Sequence, residues 1–242
     1  MYIENPKTKG SGIIGAIPQT GTCPNKCEDC FFQSGRSYLE PLEENLPNYP
    51  SVVESLFRVV RINDGNDSDV QRETVMGIAE HYPMYFYNTA IPKDLEGFNA
   101  PVVLTVNPGK LTDKSAYYVD PIPENLMFVR FRANTWNIEL AHEVVSYYSE
   151  REVPIILTFM RYYKKTVKKE HESSYIFRKS TLNSYWAITT SAWEYVMSLF
   201  KYNKWVYSCG KIEGEKGTTA CRHCGNCLRE YFATIERMRK GR

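Results

Sequence analysis

Cysteine is the residue type through which this chain is best equipped for chemistry, because its seven cysteines fall into two groups with metal-ligand spacing. The first group, Cys23, Cys27 and Cys30, has the pattern C-x3-C-x2-C, and the next cysteine along the chain is Cys209. A [4Fe–4S] cluster held by only three thiolates leaves one iron open to a ligand that is not protein. Structural zinc would need a fourth ligand and usually takes two close pairs. The triplet therefore favours an iron–sulfur cluster over structural zinc.

This three-cysteine segment resembles the signature of the radical S-adenosylmethionine (SAM) superfamily. The resemblance implies that the amino and carboxylate groups of SAM chelate the open iron. It also implies that an electron donor such as flavodoxin or ferredoxin drives reductive cleavage of SAM to a 5′-deoxyadenosyl radical, which abstracts hydrogen from carbon. No amino-acid side chain performs that step, so a [4Fe–4S] cluster and SAM are the expected cofactors.

The second group, Cys209, Cys221, Cys224 and Cys227, offers four thiolates, enough for a complete metal shell. Zinc takes four thiolates tetrahedrally, and a fully ligated auxiliary [4Fe–4S] cluster would use the same donors. Both metals stay open, with zinc favoured, and His223 is expected to be a spacer between ligands. The segment resembles the zinc-binding tail of 7-cyano-7-deazaguanine synthases, in which a lone cysteine precedes a C-x2-C-x2-C-x2-Arg string.

These cysteines need a scaffold, and apolar runs that alternate with helical patterns predict one built from parallel βα units. The first strand is expected just before the cysteine triplet, at residues 12–18. Further elements are expected as strands at 58–63, 84–88, 101–107, 127–132 and 155–159 and as helices at 51–57, 69–81 and 138–150. Six such strands with right-handed crossovers predict an α/β fold, a partial (β/α)6 TIM-type barrel. The barrel is assigned to residues 1–205 and a small C-terminal metal-binding extension to residues 206–242.

Three local patterns refine this outline. Three prolines within residues 41–50 predict an irregular segment. Residues 170–185 have little periodicity and are expected to form a lid over the pocket. Ser191 and Glu194 have the spacing of a capping box, which predicts the start of a helix running through Phe200.

Polar residues at the carboxyl ends of the strands are the candidates for binding SAM and substrate, because the chemistry of αβ barrels lies there. After the second strand, Gly65, Asn66 and Asp67 loosely resemble the superfamily's Gly-Gly-Glu element, which holds the SAM amino group. Arg130 and Arg132 share one face of the fifth strand, where they can pair with an anion or form structural salt bridges. The candidate cofactor-binding residues are Gly65, Asn66, Asp67, Asn107, Arg132 and Asn134.

Composition limits the classes of partner. The net charge is only +2, so no overall field marks nucleic acid as an obligatory partner. The basic run at residues 161–169 is expected to be a solvated face rather than an RNA-binding patch. The chain begins without a signal-peptide pattern, and no apolar run reaches membrane-spanning length. Cysteines in ligand spacings favour a reducing compartment, so we expect a soluble, cytoplasmic protein without a membrane partner.

The combined patterns favour an enzyme that performs radical chemistry on a small molecule. The resemblance of the tail points to a queuine-lyase-like activity, in which hydrogen abstraction frees a 7-deazaguanine base. One alternative is a peptide-modifying radical SAM enzyme, which predicts a second [4Fe–4S] cluster at the tail. The other is a zinc-stabilised RNA-binding module, which predicts no SAM binding and salt-sensitive RNA association.

Overall fold

The chain alternates strands and helices through most of its length. A computed structural model describes residues 1–25, 30, 32, 37–108, 114–163, 166–179, 184–210 and 221–241. Its elements are β1 (Ile13–Ala16), α1 (Leu42–Asn45), α2 (Val52–Ser55), β2 (Val59–Ile62), α3 (Arg72–Ala79), β3 (Tyr85–Thr89), β4 (Val102–Val106), β5 (Leu126–Ala133), α4 (Ile138–Ser149), β6 (Ile155–Phe159), β7 (Tyr175–Arg178), β8 (Tyr185–Ile188), α5 (Thr190–Ser198), β9 (Val206–Ser208), α6 (Cys221–Cys224) and α7 (Asn226–Lys240). Short 3-10 helices lie at Leu95–Gly97, Lys114–Tyr117 and Lys169–Ser174.

Seven of the strands form one parallel sheet in the order β1-β2-β3-β4-β5-β6-β9. The sheet curls into a half-barrel, with β1 and β9 as its two edges. The remaining strands, β7 and β8, form a separate antiparallel hairpin. The prediction of an α/β fold compatible with a partial TIM-type barrel is confirmed at this level, and its six predicted strands are all present.

Four local predictions need correction. The sheet has a seventh strand, β9, which is only three residues long and therefore has no readable period. The hairpin β7–β8 lies mostly within the segment expected to be an aperiodic lid. The proline-rich segment contains the one-turn helix α1. Helix α5 is capped by Thr189, whose hydroxyl accepts from the Ala192 N–H, rather than by Ser191, which lies within the first turn.

The outer face of the sheet is covered by helices. Alternate strand residues such as Val60, Leu104 and Val129 are fully buried in one cluster with α3, α4 and α5. Period-two alternation sends the residues between them to the opposite, inner face. None of the described helices combines the length and apolar character needed to cross a membrane.

The inner face is covered by the C-terminal helix α7. Its Tyr231, Leu228 and Ile235 pack against apolar strand residues of that face: Ile13, Val59, Phe86, Val103, Met127, Phe128 and Ile156. At the far end of the helix, Arg237 donates to the carbonyl oxygens of Glu124 (3.0 Å) and Leu126 (2.7 Å), where β5 begins. Helix α7 thus runs along the inside of the half-barrel, against the direction of the strands.

The start of the tail connects the two edges of the sheet. On the β9 side, the Asn226 side chain donates to the Ser208 carbonyl oxygen at 2.8 Å. On the β1 side, the Cys221 N–H donates to the Lys7 carbonyl oxygen at 3.1 Å. A Cβ on Gly12 would lie 2.9 Å from the Leu228 side chain, so glycine gives the tail room at that edge. Residues 206–210 and 221–241 are therefore joined to the barrel; the domain boundary after residue 205 stays a prediction.

Candidate functional site

The inner faces of the strands change from apolar to polar toward their carboxyl ends. In β2, Val59 is followed two residues later by Arg61, and in β3 Phe86 is followed by Asn88. The same change occurs in three further strands, from Val103 to Thr105, from Phe128 to Arg130 and Arg132, and from Ile156 to Thr158. Because the strands are parallel, these polar side chains meet at one end of the half-barrel, above the apolar layer that packs on α7.

A cavity of about 270 Å³ lies at this polar end. Its described lining includes Cys30 of the N-terminal triplet and all four tail cysteines, Cys209, Cys221, Cys224 and Cys227. Strand residues from Arg61 to Thr158 supply the wall, and Phe128, Ile156 and Leu228 contribute apolar surface. Cys30 and the tail cysteines, more than 170 residues apart in sequence, therefore line one space.

The cysteine loop after β1 is fixed to the loop after β2. The Phe32 ring packs directly over Gly65, where any Cβ would collide with it. The Asn25 side chain donates to the Asp67 carboxylate at 2.9 Å, and the Gln19 side chain donates to the Asp67 carbonyl oxygen at 2.7 Å. Two of the predicted SAM-binding residues therefore also support the cysteine loop. Cys27 lies outside the described residues, and Cys23 is half-buried in this loop.

Asp67 is buried and its carboxylate has a full set of donors. Besides Asn25, it accepts from Thr89 Oγ1 at 2.7 Å, the Ala90 N–H at 2.7 Å and the Asp69 N–H at 3.0 Å. Each carboxylate oxygen thus accepts two hydrogen bonds, which uses its ordinary capacity. Burial raises the pKa of Asp67, and the hydrogen bonds work against that rise. Asp67 therefore positions the cysteine loop through hydrogen bonds.

The other predicted cofactor-binding residues are distributed over two cavities. Asn107 and Arg132 line the main cavity, whereas the described lining does not include Gly65, Asn66 or Asp67. Arg132 also lines a second cavity of about 730 Å³, together with Asn134. Asn134 is buried there, donating to Tyr162 Oη at 3.2 Å and accepting from the Trp136 N–H at 2.9 Å.

Two of the three arginines in the described lining of the main cavity, Arg61 and Arg130, differ in their partners. Arg61, which is 9% exposed, forms an ion pair with Asp64. Burial disfavours the charged guanidinium, and the Asp64 carboxylate together with the tail cysteines outweighs this and raises the pKa of Arg61. Arg130 donates to Asn88 Oδ1 at 3.0 Å. Arg61 therefore forms a salt bridge that the sequence did not predict, whereas the salt-bridge alternative for Arg130 finds no carboxylate partner among the described residues.

The tail cysteines occupy four successive positions around the cavity. Cys209 follows β9, Cys221 and Cys224 mark the two ends of α6, and Cys227 lies in the first turn of α7. Burial raises the pKa of the Cys227 thiol to about 12, with Arg130 and Arg61 working in the opposite direction. A bound metal would hold such thiols as thiolates. In the described part of the chain no three His, Cys, Asp or Glu side chains converge as a metal site requires, but four thiols at one cavity are a donor set that fits zinc or an iron–sulfur cluster.

Asn5, Arg61 and Asp64 are among the cavity residues that the sequence did not predict. The Asn5 side chain donates to the Asp64 carboxylate, which also pairs with Arg61. A signal for Arg61 was present, because a charged residue inside an otherwise apolar strand must face either solvent or a polar cavity. Asn5 and Asp64 belong to polar loops and carry no such signal.

The chain matches no protein-family model, no curated protein and no solved structure.

Proposed function

We propose that this protein is a radical SAM enzyme that abstracts hydrogen from a small organic molecule bound in the main cavity. The observation that carries the proposal is that Cys30 of the C-x3-C-x2-C motif lines the same 270 Å³ space as the polar strand ends. This volume is near the lower end of the range for small-molecule pockets and is far too small for a folded partner. It supports a small-molecule substrate over a folded protein.

Cys23, Cys27 and Cys30 would hold the [4Fe–4S] cluster, which together with SAM supplies the hydrogen-abstracting chemistry. The protein's own contribution is orientation. Asp67 and Gly65 fix the cysteine loop against the second strand end. Arg132, which borders both cavities, would bind the carboxylate of SAM, and Asn107 of the main cavity and Asn134 of the second cavity would add polar contacts.

The tail cysteines would hold a second metal, zinc in the favoured version and a [4Fe–4S] cluster in the alternative. Four thiolates close either shell completely. The location of these cysteines beside the cavity supports a metal that shapes the substrate site as well as stabilising the C-terminal extension.

For the substrate we propose queuine or a related 7-deazaguanine base, with the protein acting as a lyase. A guanine-like edge presents N–H donors and needs acceptors. Asp64 is the one acidic residue in the described lining, and the neighbouring Asn63 Oδ1 is buried without a hydrogen-bond partner among the described groups. These two acceptors support a base with a donor edge.

The test is SAM cleavage by anaerobically reconstituted protein. With a reductant, the wild type should bind four irons per N-terminal cluster and release 5′-deoxyadenosine, and a true substrate should raise this release well above the uncoupled rate. Cys27→Ala should abolish the release, whereas Lys26→Ala in the same loop should retain it. Undiminished 5′-deoxyadenosine release by Cys27→Ala would overturn the radical SAM assignment. Stimulation by a peptide, with none by any deazaguanine, would overturn the substrate class alone.

A further inference from the structure

We propose that the main cavity contains an anion site, centred on Arg61 and Arg130, that binds a carboxylate or phosphate of the substrate. This anion site deepens the proposed function. Binding of an anion does not depend on that function; only the assignment of the anion to the substrate rests on it. The ligand chemistry follows from the guanidinium groups themselves, which match the oxygens of carboxylates and phosphates.

The charges around the cavity are unbalanced. Its described lining contains four cationic side chains and one carboxylate, that of Asp64. The cations are Lys7, Arg61, Arg130 and Arg132. Arg61 is buried on the inner face of β2, whereas Lys7 is exposed. With four cations and one carboxylate in its described lining, the wall favours an anionic occupant.

Both central arginines have donors to spare. A guanidinium carries five N–H groups. Arg61 pairs with Asp64 through Nη2, and its buried Nε has no hydrogen-bond partner among the described groups. Arg130 bonds the neutral Asn88 side chain, and no carboxylate of the described residues lies within 4.0 Å of it.

The cavity wall offers a further donor to the same ligand. Thr158 Oγ1, on the inner face of β6, is buried and has no hydrogen-bond partner in the described part of the chain. In the sheet, Ile156 pairs with Arg130 and Thr158 pairs with Arg132, which places the hydroxyl beside the arginine-bearing strand. An oxyanion in this space would complete the bonding of Arg61, Arg130 and Thr158 together.

A competing counter-charge is a metal–thiolate centre at the tail, because zinc bound by four thiolates is a dianion. We favour a substrate anion because Arg61 and Thr158, which line the cavity on the strand side, each have a buried donor without a hydrogen-bond partner among the described groups. The consequence for the substrate is specific. Within the 7-deazaguanines, a base with an acidic substituent fits the cavity better than queuine, whose side chain carries no acid.

The experiment is calorimetric titration of the metal-loaded protein with inorganic phosphate and, separately, with acetate, at constant ionic strength and without SAM. Arg130→Gln should weaken binding of the preferred anion about tenfold, the loss expected for one charge-assisted contact. Arg151→Gln is the matched surface control, since Arg151 packs on the Tyr147 ring outside both cavities, and it should bind like the wild type. Preference for phosphate or for acetate identifies the anion class.

Equal binding by wild type and Arg130→Gln would overturn the proposal. So would an Arg130→Gln protein that loses tail metal while its anion binding is unchanged, because the arginines would then serve the metal. Arg130→Lys covers the case in which Arg130→Gln does not fold. It keeps the charge but loses the planar fork that matches an oxyanion, so it should bind the preferred anion about three- to tenfold more weakly than the wild type, and equal binding would overturn the proposal. A wild type without measurable binding overturns the proposal outright. Because SAM is absent, a failure of radical chemistry would leave this result unaffected.

Discussion

Asp67 joins three segments that are far apart in sequence. Its carboxylate accepts from Asn25 in the cysteine loop and from Thr89 and Ala90 at the end of β3, and its backbone carbonyl accepts from Gln19. Hydrogen bonds to an ionised acceptor are stronger than neutral ones, and leaving their buried donors unpaired is expensive. At the scale of a single residue, Asp67 therefore determines how firmly the loop that carries Cys23 and Cys30 is held.

Replacement of Asp67 by asparagine should lower the free energy of unfolding by about 2 to 3 kcal/mol. The amide nitrogen cannot accept hydrogen bonds, and its N–H groups would face the donors that bond the carboxylate oxygen in the wild type. Asp69→Asn is the matched control: its partly exposed side chain lies 3.7 Å from Arg72, and the change should cost under about 0.5 kcal/mol. Urea unfolding of the two variants makes the comparison. Equal stabilities would contradict the positioning role of Asp67.

At the scale of secondary-structure elements, helix α7 makes the C-terminal extension part of the packed core. Its buried face packs on the apolar inner layer of the sheet, with the Tyr231 and Phe86 rings 6.4 Å apart. The inner face of a half-barrel carries apolar side chains that need a cover, and this helix supplies it. The extension therefore contributes to the core of the fold in addition to carrying cysteines.

Tyr231→Ala should lower the free energy of unfolding by about 3 kcal/mol, since it empties a buried aromatic site between α7 and the sheet. The adjacent Phe232 is 54% exposed, so Phe232→Ala should cost less than about 1 kcal/mol. Thermal or urea unfolding of both variants measures the difference. Similar small losses in both would mean that α7 does not cover the inner layer in solution.

At the scale of the whole molecule, the parallel sheet has two open edges, β1 and β9. The tail bonds to β9 itself and to the segment that precedes β1. Asn226 holds the β9 edge and Cys221 holds the segment before β1. A metal on Cys209, Cys221, Cys224 and Cys227 would tie these contacts together, because structural metal binding contributes directly to folding free energy. The tail site would then stabilise the closure of the half-barrel around its cavity.

Removal of the tail metal, by chelation or by Cys224→Ser, should increase amide hydrogen exchange in β1, in residues 5–12 and in β9. Helix α3, which packs on the outer face, should keep its protection and provides the internal control. Elemental analysis verifies the metal loss in each sample. Unchanged exchange at both edges after complete metal removal would contradict a closing role for the tail.

The strand positions and the cysteine chemistry could be predicted from the sequence, because both depend on short-range patterns. Buried parallel strands are short apolar runs, so β1 to β6 were found within two residues at most of their ends. Ligand spacing within a loop is equally local. Strand β9 was missed because three residues are too few to form a pattern.

The site itself depended on contacts across long sequence separations. Asn5 and Asp64, Arg61 and the tail cysteines, and Asp67 and Asn25 come together only because the sheet curls and α7 enters it. The same sequence pattern of an amphipathic helix would suit packing on either face of a sheet. Sequence alone therefore determined which residues carry chemistry and which segments form strands. The tertiary structure decided that Cys30, the tail cysteines and the wall arginines share one cavity, since burial of the inner apolar layer by α7 is a long-range packing effect that no local pattern encodes.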